Sequence, residues 1–188
     1  LIEFKTYYKK PYPVLSAQGK LTIKTRLPYR GQGEFESWKL VIFDLPDSLR
    51  QKRLQFQKEL LKLGFGRLSR AVYISPHPLF SAARRIAKKL GLEDFVTLAK
   101  IQSIENEKAK VFRAWNLKAL NQKYEDFIQK AKVASFERRP LWPLYAKGLE
   151  KEFAALYDQD PHLPAEFLPA GWQGKKAYGI FKAISNSY

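Results

Sequence analysis

Two carboxylates lie close together where a metal-dependent reaction would need them. Asp44 closes the apolar run Trp38-Lys39-Leu40-Val41-Ile42-Phe43, and Asp47 follows just beyond Pro46. A hard divalent cation takes about six oxygen ligands, so two carboxylates form an incomplete cage. A symmetric pair of Asp44 side chains across a dimer would bring it closer to completion; otherwise Asp44 ends a strand and accepts turn amides before Pro46. The two histidines, His77 and His162, both sit among prolines, where solvent-facing or capping roles are expected rather than metal ligation. Neither stands in a nucleophile context for Ser-His-acid hydrolysis. Gly64-Phe65-Gly66 is too short for a phosphate-cradling loop and lacks the Lys-Ser/Thr that would follow one. Cysteine is absent, which removes disulfides, thiolate metal sites and a cysteine nucleophile.

Basic residues give the stronger signal. Lys and Arg number 34 against 18 Asp and Glu, a net charge of +16. Such an imbalance calls for a polyanion or for dense counterion screening. The cations come in clusters: Arg50, Lys52 and Arg53, then Arg67 and Arg70, then Arg84, Arg85, Lys88 and Lys89. Any one of these is what a solvated helix face carries, and only their sum argues for nucleic acid. The aromatic residues fall mostly at core spacing, so no base-stacking platform is expected.

Apolar spacing shows the elements that must position these groups. Residues 1–34 read as irregular and basic, too short to bury a core, with Pro28 to Gly33 as a linker. Trp38 to Phe43 is nearly continuous in apolar character, which predicts a strand covered on both faces. Asp47 or Ser48 is placed to cap a helix carrying Leu49, Phe56, Leu60 and Leu63, and Gly64 stops it. Phe65 to Pro76 predicts a hairpin. A second helix, about Leu79 to Leu90, turns Ala83, Ile86 and Ala87 inward and its cations outward. Phe95 to Leu98 and Ile101 to Ile104 supply closing strand material. The order strand, helix, strand, strand, helix, strand predicts a ferredoxin-like α+β domain.

The remainder is helical in pattern. Asn116 can cap a helix bearing Leu117, Leu120, Tyr124, Phe127 and Ile128; Pro140 opens another with Leu149, Phe153 and Leu156; a last one carries Ala177, Tyr178, Phe181 and Ile184. The expected division is 1–34, 35–108 and 109–188. At 188 residues and 45% hydrophobic content, the chain can bury a real core. No apolar run approaches the roughly 20 residues of a membrane span, and the start lacks a signal peptide's apolar core. A cytoplasmic location is therefore expected, without membrane contact. Methionine is absent and the chain opens on Leu1-Ile2-Glu3, as expected of a fragment.

Several phrases together resemble the PaaX family of bacterial transcriptional repressors. Trp38 to Pro46, Arg50 and Arg53, Leu63-Gly64-Phe65-Gly66 and Val72-Tyr73-Ile74-Ser75-Pro76 resemble that family's central domain. Arg113-Ala114-Trp115-Asn116-Leu117 is similar to its RAW-[DN]-L phrase. Asp160-Pro161-His162-Leu163-Pro164-Ala165-Glu166-Phe167-Leu168-Pro169, followed by Trp172 and Gly174, resembles its long DPxLPxxLLPxxWxG signature. The resemblance implies an N-terminal winged helix-turn-helix, a central ferredoxin-like domain and a helical C-terminal domain. Here Leu15 to Leu27 resembles only the tail end of the first, its wing and outgoing helix, and no recognition helix is visible.

The resemblance further implies a DNA-binding repressor rather than an enzyme, with no cofactor. It implies a homodimer on near-palindromic double-stranded operators, and release by an acyl-CoA-type effector. In that reading Lys20, Lys24 and Arg26 hold phosphates, giving affinity without sequence choice. The central domain also resembles the small CRISPR adaptation endonuclease, in which an aspartate at the end of the first strand binds metal in a dimer. Asp44 occupies that position, so a metal-dependent endonuclease is the alternative, and a nonspecific basic nucleic-acid binder is a third.

Overall fold

The computed structural model describes residues 2–7, 10–15, 35–137 and 142–185. The chain divides into two compact units, Leu1–Glu34 and Phe35–Tyr188. In the first, β1 (Ile2–Tyr7) pairs antiparallel with β2 (Lys10–Leu15), Ile2 opposite Leu15 and Tyr7 opposite Lys10. The irregular structure expected over residues 1–34 is thus corrected for these two segments. Ile2, Phe4, Tyr12 and Val14 favour extended backbone, and Pro11 and Pro13 are tolerated because both strands of a two-stranded ribbon are edges. The anticipated wing and outgoing helix, beyond Leu15, lie outside the described residues, as do Lys20, Lys24 and Arg26.

The second unit begins with β3 (Trp38–Phe43), α1 (Arg50–Leu63), β4 (Gly66–Arg67), β5 (Val72–Ser75), α2 (Phe80–Leu90) and β6 (Val96–Ile101). The four strands form one antiparallel sheet in the order β4-β5-β3-β6, with α1 and α2 as crossovers. This is the expected ferredoxin-like arrangement. Then come α3 (Glu107–Ala114), α4 (Leu117–Glu137), α5 (Trp142–Gln159) and α6 (Gly174–Ser185).

β3 is apolar throughout most of its length because its two faces serve two cores. Val41 and Phe43, with Tyr73 of β5, pack under Phe56 and Leu60 of α1 and Ala83 and Ala87 of α2. The small Ala83 and Ala87 let α2 approach the sheet closely. Trp38, Leu40 and Ile74 face the other way, against Val111 of α3, Leu117 of α4, and Leu163 and Phe167 from the segment after α5. A third core unites α4, α5 and α6 around Tyr124, Phe127, Phe153, Leu156 and Ala177.

Three local expectations change. A short 3₁₀ turn, Asp47–Leu49, precedes α1, and no side chain caps either start. Asp47 instead accepts from Arg53 Nη2 at 3.4 Å. The closing strand is the single segment β6, and Ile104 lies past its end, packed on the second sheet face. Finally, α3 forms where no helix was expected, since only Val111 along it is fully buried. Gly64 does end α1, in the left-handed conformation with φ 97°.

Candidate nucleic-acid interface

The clusters of cations read from the sequence come together as one layer. α1 and α2 lie side by side on one face of the sheet, sharing a core that fixes which of their sides looks outward. α1 carries Arg50, Lys52, Arg53, Lys58 and Lys62 against Glu59 alone. α2 carries Arg84, Arg85, Lys88 and Lys89 with no carboxylate. All of these cations are exposed except the half-buried Arg53. Two are engaged, Lys62 Nζ with Glu59 at 2.7 Å and Arg53 with Asp47 at 3.4 Å. The β4–β5 hairpin is tied to the layer by Gln57 Nε2, which donates to the Arg70 carbonyl at 2.9 Å, and it adds exposed Arg67 and Arg70. Lys39 is the exception among the cations. It points into the unit, Nζ donating to the carbonyls of Ser37 at 2.8 Å and Pro76 at 3.3 Å, and burial lowers its pKa below the ordinary lysine value.

Asp44 stands at the end of β3, its side chain exposed and its backbone N–H donating to the Phe95 carbonyl at 3.2 Å. Asp47, the second carboxylate, is turned to Arg53. Among the described residues no three His, Asp or Glu side chains converge as a metal site.

The long C-terminal signature forms a clamp between the sheet and the helical bundle. Asp160 is 4% exposed; its carboxylate accepts the Tyr124 hydroxyl at 2.8 Å and the His162 N–H at 2.7 Å. His162 is 5% exposed, takes a left-handed backbone with φ 50°, and packs against the Tyr157 ring at 4.5 Å. The solvent-facing role expected of His162 is therefore corrected: Asp160 turns the chain inward. His77 Nε2 donates to the Pro161 carbonyl at 2.8 Å, joining the turn after β5 to this segment. Leu163 and Phe167 then reach the sheet, and Asn121 Oδ1 accepts the Gln173 N–H at 2.8 Å. Trp172 meets Tyr124 edge to face at 5.5 Å.

The Arg113-Ala114-Trp115-Asn116-Leu117 phrase is a second tie. Trp115 Nε1 donates to the Gly64 carbonyl at 3.1 Å, and its ring lies so close to Gly66 that a Cβ there would stand 2.5 Å from it. Gly66 is thus required by contact rather than by backbone freedom. Asn116 turns the chain from α3 into α4 with φ 49°, its carbonyl accepting the Leu120 N–H. The phrase is visible in the sequence but its contact is not, because Trp115 and Gly64 lie 51 residues apart in the chain.

Comparison with known families settles kinship. The model of the PaaX protein central Cas2-like domain matches residues 35–112, and that of the PaaX-like protein C-terminal domain matches residues 115–188. The chain belongs to the PaaX family. The Cas2-like description accords with the likeness of the central domain to the small CRISPR adaptation endonuclease. The transcriptional repressor PaaX of Escherichia coli (strain K12) is 29% identical over 141 residues, covering 64% of this chain and 42% of that protein. This PaaX-family chain thus spans less than half of that relative's length. The solved structure of the uncharacterized protein Rv0674 from Mycobacterium tuberculosis matches with a TM-score of 0.67 at 16% identity, covering 98% of this chain and 74% of that one. That likeness is one of fold.

Proposed function

We propose that this PaaX-family chain serves in a DNA-binding transcriptional repressor, acting as a cytoplasmic homodimer on double-stranded DNA and released by an acyl-CoA-type effector. The observation that carries the reading is the tandem match of two PaaX modules, on a chain of net charge +16. A 29% identical relative is named a transcriptional repressor, which supports the same reading. Charge supplies affinity for any duplex, and a two-fold dimer suits two half-sites. Lys20, Lys24 and Arg26 are assigned to phosphates, so charge reversal there should weaken binding on all sequences alike. Gel shifts with Lys20→Glu and Lys24→Glu test this: an affinity loss equal on operator and random duplex is expected, and unchanged affinity removes these residues from the interface.

The exposure of Asp44 at the end of the first strand of a Cas2-like domain favours a second reading, a metal-dependent endonuclease. It requires magnesium- or manganese-dependent cleavage that disappears in Asp44→Ala. Intact single- and double-stranded substrates after prolonged incubation with either metal would end it.

A further inference from the structure

The assignment of phosphate contacts to Lys20, Lys24 and Arg26 leaves the cationic layer on α1 and α2 unused. On α2 the cations stand in two rows, Arg84 with Lys88 and Arg85 with Lys89, each pair one turn apart on the same side of the helix. Like charges at that spacing repel and weaken the helix that bears them, and α2 offers no carboxylate to relieve them. Beside it, α1 repeats the pattern with Lys58 and Lys62, only the latter drawn to Glu59. A protein that keeps such a surface gains from a partner that supplies the missing negative charge.

The chemistry of the surface narrows that partner. A turn of helix spans about 6 Å between paired cations. Phosphates along one strand of duplex DNA advance about 3.4 Å of axis per step, so two steps, about 7 Å, come close to the spacing within a row. Protein interfaces are depleted in lysine at their centres, whereas lysine and arginine share these helices. A membrane surface would ask α2 for an apolar side, yet Ile86 and Leu90 pack on the core and none of its large apolar residues is exposed. On α1, Leu54 (56% exposed) and Leu61 (50%) lie seven residues apart with Lys58 between them, too sparse to make an inserting face.

We infer that the outer side of α1 and α2 is a second contact with duplex DNA, binding sugar-phosphate backbone without reading bases. It rests on the repressor reading and deepens it: the central domain adds affinity and salt dependence, and leaves sequence choice to another part of the protein. Contacts to sugar and phosphate carry no sequence information, so the contribution of this surface is the same on every sequence.

The test uses the whole chain and fluorescently labelled duplexes of operator-like and random sequence, with affinity measured across a salt series. The variant is Arg84→Gln, Arg85→Gln, Lys88→Gln and Lys89→Gln together; glutamine keeps helix propensity close to that of the residues it replaces. The control is Lys147→Gln with Lys151→Gln, exposed on α5 in the helical bundle. The layer variant should lose at least about tenfold in affinity at 100 mM salt on both duplexes, and the salt slope should fall by about one for each phosphate contact removed. The control should stay within about twofold of the unmodified chain. Circular dichroism melting of each variant separates loss of contact from loss of fold.

A layer variant that is folded and binds as the unmodified chain does would overturn the inference. If Lys20→Glu with Lys24→Glu still weakened binding in that case, the repressor reading would stand without this surface. Failure of the unmodified chain to bind any duplex at low salt would overturn both. Anionic phospholipid vesicles are run alongside; a layer variant that loses vesicle binding while keeping duplex binding would assign the surface to lipid and overturn the inference.

Discussion

On one face of the sheet, Val41, Phe43 and Tyr73 are covered by α1 and α2, helices that follow directly from the strands they cover. On the other, Trp38, Leu40 and Ile74 meet Val111 and Leu117, and the cover is completed by Leu163 and Phe167, which the chain reaches only after α3, α4 and α5. The first face is closed by local contacts and leaves the outer side of its helices exposed and cationic. The second is completed by distant ones, through a segment that also packs into the helical bundle at Trp172. Closing a longer loop costs more chain entropy, though the cost rises slowly with length, and the signature face is where folding of the sheet and of the bundle is expected to be coupled. The contrast assigns a physical role to the long signature: Asp160 and His162 turn it inward, and its apolar residues seal the sheet.

Leu163→Ala gives the hardest blow to this contrast. Leu163 is fully buried between sheet and bundle, and truncating such a leucine costs about 2–5 kcal/mol. Because the cavity opens where the two parts meet, the urea midpoints of helical circular dichroism and of tryptophan fluorescence should fall together. Separate midpoints, with the helical signal unmoved, would show that the bundle stands without the sheet and would break the comparison.

Gly66→Ala is expected to cost less, about 1–3 kcal/mol, as overpacked sites do. The added methyl would meet the Trp115 indole, which is held by its own bond to Gly64, and the ring must move. Pairing Gly66→Ala with Trp115→Phe sharpens the result. The smaller ring should accept the methyl, so the double variant should lose less than the two single losses added. Strict additivity, measured by denaturant unfolding, would mean that the two residues do not press on each other.

Much of this fold was legible in the sequence where local pattern and final contact agree. The apolar run Trp38 to Phe43 announced a strand buried on both faces, and the spacing of Phe56 and Leu60 announced α1. Legibility failed where side-chain contacts, near or far along the chain, outweigh the local apolar pattern. α3 presents only Val111 to the core at full burial, too little for an apolar period, and it is held in place by partners such as Glu107 with Trp38 Nε1 at 2.6 Å. His162 among prolines looked like a surface turn, because the Asp160 contact that draws it inward and the Tyr157 ring beneath it cannot be read from composition. Asp47 looked like a helix cap and went to Arg53 instead. As for the candidate interface, the cations were plain as residues, but that α1 and α2 present them side by side follows only from the sheet order.

The smallest expected effect tests the free side of the comparison. Arg84→Gln with Arg85→Gln dissolves both like-charge rows on α2 while leaving Lys88 and Lys89 in the last turn, where the helix dipole favours them. If the rows are a burden carried for a partner, the double variant should be more stable than the parent, by about 0.2–0.5 kcal/mol per pair at low salt. The gain should vanish near 1 M salt, where the screening length falls to about 3 Å. Thermal melts at the two salt concentrations measure it directly. The sign matters more than the size: a variant that gains stability and loses duplex binding would show α2 shaped against its own fold by what it holds, whereas a loss of stability at low salt would mean that these arginines serve the helix itself.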